Sequence, residues 1–229
     1  QISQLKRFYF DGYADLAPQT VAQVAVADND VASILMFAAG GGAIDGNTGG
    51  RAGADAKCAA TTSAVATCGD RTKIHAFLTV TAADQMQSMP ASFDLNAAAP
   101  ITSLNGQAFA TDWLAMFQGD GTRAGLLNEL QFSLAEAGIL PASTRFWTGT
   151  FRNTPEGEDP TRDLSNYTCN AFTSNTAEIV PASLAGNSSK KRADWLSDGT
   201  FSGSGDTLSL HSTFVKCSAT YVLLCVCGS

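Results

Sequence analysis

Hydrophobic positions along the chain fall into short runs separated by turn residues. Positions 31–39 are apolar apart from Ser33, and 221–227 read Tyr-Val-Leu-Leu-Cys-Val-Cys. Both are far shorter than the ~18 apolar residues of a membrane span, and each predicts a buried strand. Gly40-Gly41-Gly42 ends the first run, and Asp45-Gly46-Asn47 with Gly49-Gly50 predicts a turn. Positions 51–65 predict a short helix. Positions 73–81 alternate like a strand, and 82–89 predict a helix that stops before Pro90. A further helix is expected over 106–118, capped by Thr111 or Asp112. It would place Phe109, Trp113, Met116 and Phe117 on one face for core packing. Positions 125–137 add a helical or extended piece, and 146–151 another strand. Two stretches, 150–165 and the Asn-, Ser-, Gly- and Asp-rich 175–212, read as surface excursions.

Residues 1–30 stand apart. They hold the aromatic cluster Phe8-Tyr9-Phe10 and a Val/Ala segment with Val21, Val24 and Val26 in weak alternation. The expected organisation is an N-terminal extension, 1–30, followed by one domain, 31–229, with no internal repeat.

Composition narrows the class. Hydrophobic residues make up 45% of the 229, enough for a core. Fourteen Lys and Arg against 21 Asp and Glu give a net charge of −7. That balance argues against nucleic acid and heparin as partners. Lys190-Lys191-Arg192 is the one basic cluster and reads as a solvated loop. Abundant Ala, Gly, Ser and Thr suit a secreted or cell-surface protein. An export signal removed ahead of Gln1 would account for an opening without Met.

Six cysteines, Cys58, Cys68, Cys169, Cys217, Cys225 and Cys227, read as three disulfides rather than a metal site. Zinc sites favour Cys-x2-Cys pairs or nearby histidines. Here the only histidines are His75 and His211, neither beside a cysteine. Sequence alone allows fifteen connectivities. If 221–227 is a strand, Cys225 and Cys227 project from one face and need two partners lying side by side. Cys58 and Cys68 would serve in either order, leaving Cys169 for Cys217.

Ordered blocks of sequence resemble the endostatin domain of collagen and its bacterial cell-surface relatives. They begin with Gly46-Asn47, Gly50-Arg51-Ala52-Gly53-Ala54-Asp55 and Cys58. They continue through Ala76-Phe77-Leu78, 84–89, Pro100-Ile101, Leu104 and Trp113-Leu114-Ala115-Met116-Phe117. Phe146-Trp147-Thr148-Gly149, Tyr167-Thr168-Cys169 and 217–225 complete them. The resemblance covers about residues 34–229. It implies an α+β, C-type-lectin-like fold: a twisted antiparallel sheet flanked by two helices. It also implies the bridges Cys58–Cys225 and Cys169–Cys217, which leave Cys68 for Cys227. The family's basic heparin surface and its N-terminal zinc histidines have no counterpart here, so neither ligand carries over.

Candidate chemistry is sparse. No Gly-x-Ser-x-Gly elbow, phosphate loop or EF-hand sequence occurs. His75 reads as a core or edge histidine and His211 as exposed. No cofactor is expected; Asp45, Asn47 and Asp55 are the residues a structural calcium would use. Asn166-Tyr167-Thr168 and Asn187-Ser188-Ser189 match the N-glycosylation acceptor pattern. The expected function is non-enzymatic binding outside the cell, as an adhesin or recognition module, with 183–205 as the recognition loop. The alternative is a structural subunit of an extracellular filament or surface layer, assembling with copies of itself through Phe8, Tyr9, Phe10, Val21, Val24 and Val26. A disulfide-rich hydrolase without a visible site is the third.

Overall fold

The computed structural model describes residues 33–61, 66–117, 130–150, 164–178, 180–198, 200–202, 209–211 and 214–228. The assembly residues proposed within 1–30 lie outside this set. The architecture is α+β. Strands are β1 (Ile34–Ala38), β2 (Ile74–Ala76), β3 (Ile101–Thr102), β4 (Ala108–Ala110), β5 (Arg145–Trp147) and β6 (Ala182–Asn187). They are followed by β7 (Thr200–Ser202), β8 (Ser209–His211), β9 (Phe214–Lys216) and β10 (Leu224–Gly228). Helices are α1 (Gly50–Ala59) and α2 (Met89–Phe93). A five-stranded sheet runs β2-β10-β1-β3-β4, a three-stranded one β5-β6-β9, and β7 pairs with β8. The two larger sheets meet at Val222. Its carbonyl accepts from Trp147 N at 3.0 Å and its N–H donates to Arg145 O at 3.1 Å.

β1 and β10 are central and buried on both faces, which is why their sequences read as unbroken apolar runs. Antiparallel register pairs Leu35 with Cys227, Met36 with Val226 and Phe37 with Cys225. Because side chains alternate, Ile34, Met36, Leu224 and Val226 point into one core with Phe77, Trp113, Phe117 and Trp195. Leu35, Phe37, Cys225 and Cys227 point into another with Trp147, Phe172 and Val215. All three disulfides belong to this second core. Cys58 joins Cys225, Cys68 joins Cys227 and Cys169 joins Cys217, with Cα separations of 5.6, 6.0 and 5.5 Å. The first two therefore fasten α1 and the segment after it to one face of β10.

Several local expectations change. The helix near 82–89 forms instead as a 3-10 turn, Met86–Ser88, running into α2, with Pro90 in its first turn. A proline there lacks only an N–H that would have had no partner, and its fixed φ suits a helix start. Positions 106–117 hold β4 and a 3-10 turn, Leu114–Met116, rather than a long helix. The four aromatic and Met positions still share one core. Asp112 caps the turn, its Oδ1 accepting from Ala115 N at 2.9 Å. His211 lies in β8, not in a loop.

The largest correction concerns 183–205. Its first part is β6, the middle strand of the three-stranded sheet, buried along nearly its whole length. Trp195 is fully buried against Phe77, Phe109 and Phe146. The small residues of Ala-Ser-Leu-Ala-Gly-Asn admit these rings: a Cβ at Gly186 would fall 2.2 Å from Phe146 Cζ and 2.4 Å from Trp195 O. Residues 183–186 and 194–197 are core, so that part of the stretch is no recognition loop; 199 and 203–205 lie outside the described residues.

Cys169–Phe172 forms a left-handed turn, with φ of 51°, 54°, 55° and 57° at four successive non-glycine residues. Each such residue costs about 1–2 kcal/mol. Surrounding contacts hold the turn. Phe172 O accepts from Thr48 N at 3.0 Å and Gly49 N at 3.2 Å. Thr168 Oγ1 accepts from Ala171 N at 3.1 Å. Cys169 is anchored by its bridge.

Candidate functional site

The candidate site begins on α1. Arg51 and Asp55, one turn apart, share a face directed at the outer edge of β2. Arg51 grips Asp84 with two nitrogens, Nε to Oδ2 at 2.9 Å and Nη2 to Oδ1 at 2.7 Å. It also donates to Ala76 O, and to Leu78 O at 2.7 Å. A planar guanidinium can satisfy a carboxylate and two carbonyls at once, which an ammonium cannot. Asp55 Oδ1 accepts from Ala76 N at 2.8 Å, and Oδ2 lies 3.2 Å from His75 Nδ1. These contacts close the edge that β2 would otherwise expose.

The network also fixes an aromatic ring. His75 stacks on Phe93 with centroids 3.9 Å apart and planes 18° apart. Arg51 Cζ lies 5.5 Å from the same ring centre. Phe93 ends α2, and Asp94 closes that helix at φ 54° by donating its N–H to Pro90 O. The reversal opens a cleft of about 230 Å³ beside β1 and β10. Its walls include Ser33, Lys73, Phe93, Asp94, Asn96 and Gly228. Lys73 and Asp94 are exposed, and among the described residues neither makes an ion pair. The cleft thus offers one immobilised ring, one cation and one carboxylate.

From this assembly the sequence offers His75 as a core or edge histidine and Asp55 as a calcium candidate, with Arg51, Ala76 and Asp84 only within the blocks of family resemblance, and it places none of them beside a cleft. Lys73, Phe93, Asp94 and Asn96 were missed. The faint signal was the turn-forming Asp94-Leu95-Asn96 after the Pro90 helix. Asp45 and Asn47 are remote in role from Asp55: the Asp45 carboxylate accepts from Asn47 N at 3.0 Å and Asn175 Nδ2 at 3.3 Å. Elsewhere, Tyr221 and Asp198 hold the Arg145 guanidinium charged, above its ordinary range; the distances are 3.5 Å and 2.6 Å. The Glu136 carboxyl is held below the usual range by Ser133, whose N–H it accepts at 2.8 Å and whose hydroxyl accepts from Glu136 N at 3.1 Å. This is a reciprocal Ser-x-x-Glu cap. Thr72 lowers Asp70 in the same way, its N–H and hydroxyl each 2.8 Å from Oδ1.

No known family model matches the chain, and no curated protein matches it. Three disulfides fit an extracellular setting. No helix among the described residues is long and apolar enough to cross a membrane.

Proposed function

We propose that this chain is a secreted or cell-surface binding module of C-type-lectin-like fold, non-enzymatic, that recognises an extracellular protein through the Lys73–Phe93–Asp94 cleft. The observation that carries the reading is the combination at that cleft. A ring held by His75 and Arg51 loses little freedom on contact, and Lys73 and Asp94, which make no ion pair among the described residues, line the same cleft. Preorganisation of this kind improves affinity by lowering the ordering cost of association. The titratable groups behind it are spent on structure: Arg51, Asp55 and Asp84 satisfy the edge of β2, and His75 is committed to Asp55 and Phe93.

The test is binding of the intact disulfide-bonded chain to immobilised extracellular-matrix extract. Micromolar or tighter affinity is expected. A Lys73→Glu, Asp94→Lys double variant should lose at least about tenfold, or about 1.4 kcal/mol. Equal binding by that variant, or none by the parent chain, sinks the reading.

A second reading is a filament or surface-layer subunit, and the sheet edges favour it. While β2 is closed by Arg51 and Asp55, β4 and β9 each pair with one strand among the described residues. Such an edge accepts an added strand, and Val21, Val24 and Val26 with Phe8, Tyr9 and Phe10 would supply it from another copy. Electron microscopy of the purified chain, with and without residues 1–30, tests this. Polymers from the truncated chain, or none from the full one, reject it.

A further inference from the structure

The two glycosylation-type triplets end in opposite environments. Asn187 closes β6 and is half-buried. Its Nδ2 donates to Asp198 Oδ1 at 3.1 Å, and its Oδ1 accepts from Ser189 N at 3.0 Å. Asp198 in turn pairs with Arg145 at 2.6 Å. A sugar on Nδ2 of Asn187 would have to grow from the half-buried atom that is bonded to Asp198, crowding that contact.

Asn166 is exposed in a single 3-10 turn, Ser165–Tyr167, and its side-chain amide makes no hydrogen bond among the described residues. It stands at the rim of an apolar cleft of about 180 Å³ with Tyr167, Val180, Ala182 and Phe214. Val180 is 62% exposed and Phe214 47%, and the Tyr167 and Phe214 rings lie 5.5 Å apart. Exposed large apolar side chains gathered in one place call for a cover.

We propose that Asn166, and not Asn187, is an N-glycan acceptor, and that the first sugars of the glycan lie over the Tyr167–Val180–Phe214 cleft. The step joins Nδ2 of Asn166 to C1 of the first sugar of a lipid-linked oligosaccharide. The C1–O bond to the lipid pyrophosphate breaks, the pyrophosphate leaves, and the amide nitrogen loses a proton. In the folded chain Thr168 is buried. Its hydroxyl donates to Leu164 O at 3.0 Å and accepts from Ala171 N at 3.1 Å. The triplet is therefore read before this turn closes and before Cys169 is locked to Cys217. The folded state then accommodates the product only at Asn166.

The experiment is secretion of the full chain from a eukaryotic host, followed by intact-mass and glycopeptide analysis with and without glycosidase. The parent chain and Asn187→Gln should each carry one glycan, at Asn166, and Asn166→Gln none. Glycosidase treatment of the folded parent should raise its binding of a hydrophobic fluorescent probe. A bare Asn166 in the secreted parent, or a sugar on Asn187 of the folded protein, overturns the assignment. Unchanged probe binding overturns the covering of the cleft.

Discussion

Cys58–Cys225 and Cys68–Cys227 interleave along the chain, with their ends close together, and this overlap makes their contributions interdependent. The sequence separations are 167 and 159 residues. Either bridge alone closes a loop of that size, which constrains the unfolded chain by about 5 kcal/mol. Once one is closed, the other closes only a ring of about 14 residues, from 58 to 68 and from 225 to 227, worth about 3 kcal/mol. Removing either bridge by paired Cys→Ala substitution should thus lower stability by about 3 kcal/mol, and removing both by about 8 kcal/mol. The shortfall of the single losses, about 2 kcal/mol, is a coupling that arises in the unfolded state, not in any contact of the folded one. Urea unfolding of the parent, the two single-bridge variants and the variant lacking both measures it. Packing lost with each sulfur enters the single and combined variants alike and leaves the coupling unchanged. Strictly additive losses would refute the shared-loop reasoning.

Other expectations follow from particular contacts. Gly186→Ala places a methyl against Phe146 and the Trp195 carbonyl; stability should fall by about 3 kcal/mol, read as a lower urea midpoint, while Gly40→Ala, whose methyl would meet only Thr61 at 3.5–3.8 Å, should change far less. Arg51→Lys keeps the charge but loses the forked grip on Asp84 and the two carbonyls; it should cost about 2–3 kcal/mol and loosen Phe93, seen as faster ring exchange by NMR. Asp70 and Glu136 have folded pKa values below their unfolded ones, so their stabilisation is complete at neutral pH and is lost as pH falls from the ordinary carboxylate range through the depressed values. Ser133→Ala should move the Glu136 titration, followed by NMR, only part of the way upward, because the residue 133 backbone N–H and Lys191 still hold it down.

The legible parts of this fold are those where burial left a periodic or compositional mark. β1 and β10 announce themselves because both faces are apolar, although the paired segments are shorter than the runs, Ile34–Ala38 and Leu224–Gly228. The two-residue spacing of Cys225 and Cys227 pointed to neighbouring partners, and Cys58 and Cys68 are those partners. β6 was illegible for a physical reason. Its Ala, Ser and Gly make room for Phe146 and Trp195, and small residues carry neither strand propensity nor hydrophobic alternation. The cleft was equally silent. Lys73, Phe93 and Asp94 are ordinary surface residues in sequence, and only the packing of Arg51 and His75 against Phe93 brings them into one wall.

β10 occupies the middle of its sheet yet leaves the ribosome after every other described strand. Before it arrives, β1 and β2 have no common partner, and two of the three bridges have no second sulfur. The five-stranded sheet must therefore stay open until β10 has emerged and close in one event, with long-range pairing and oxidation arriving together. Ribosome-bound fragments ending before residue 224 should remain as sensitive to protease as an unstructured chain.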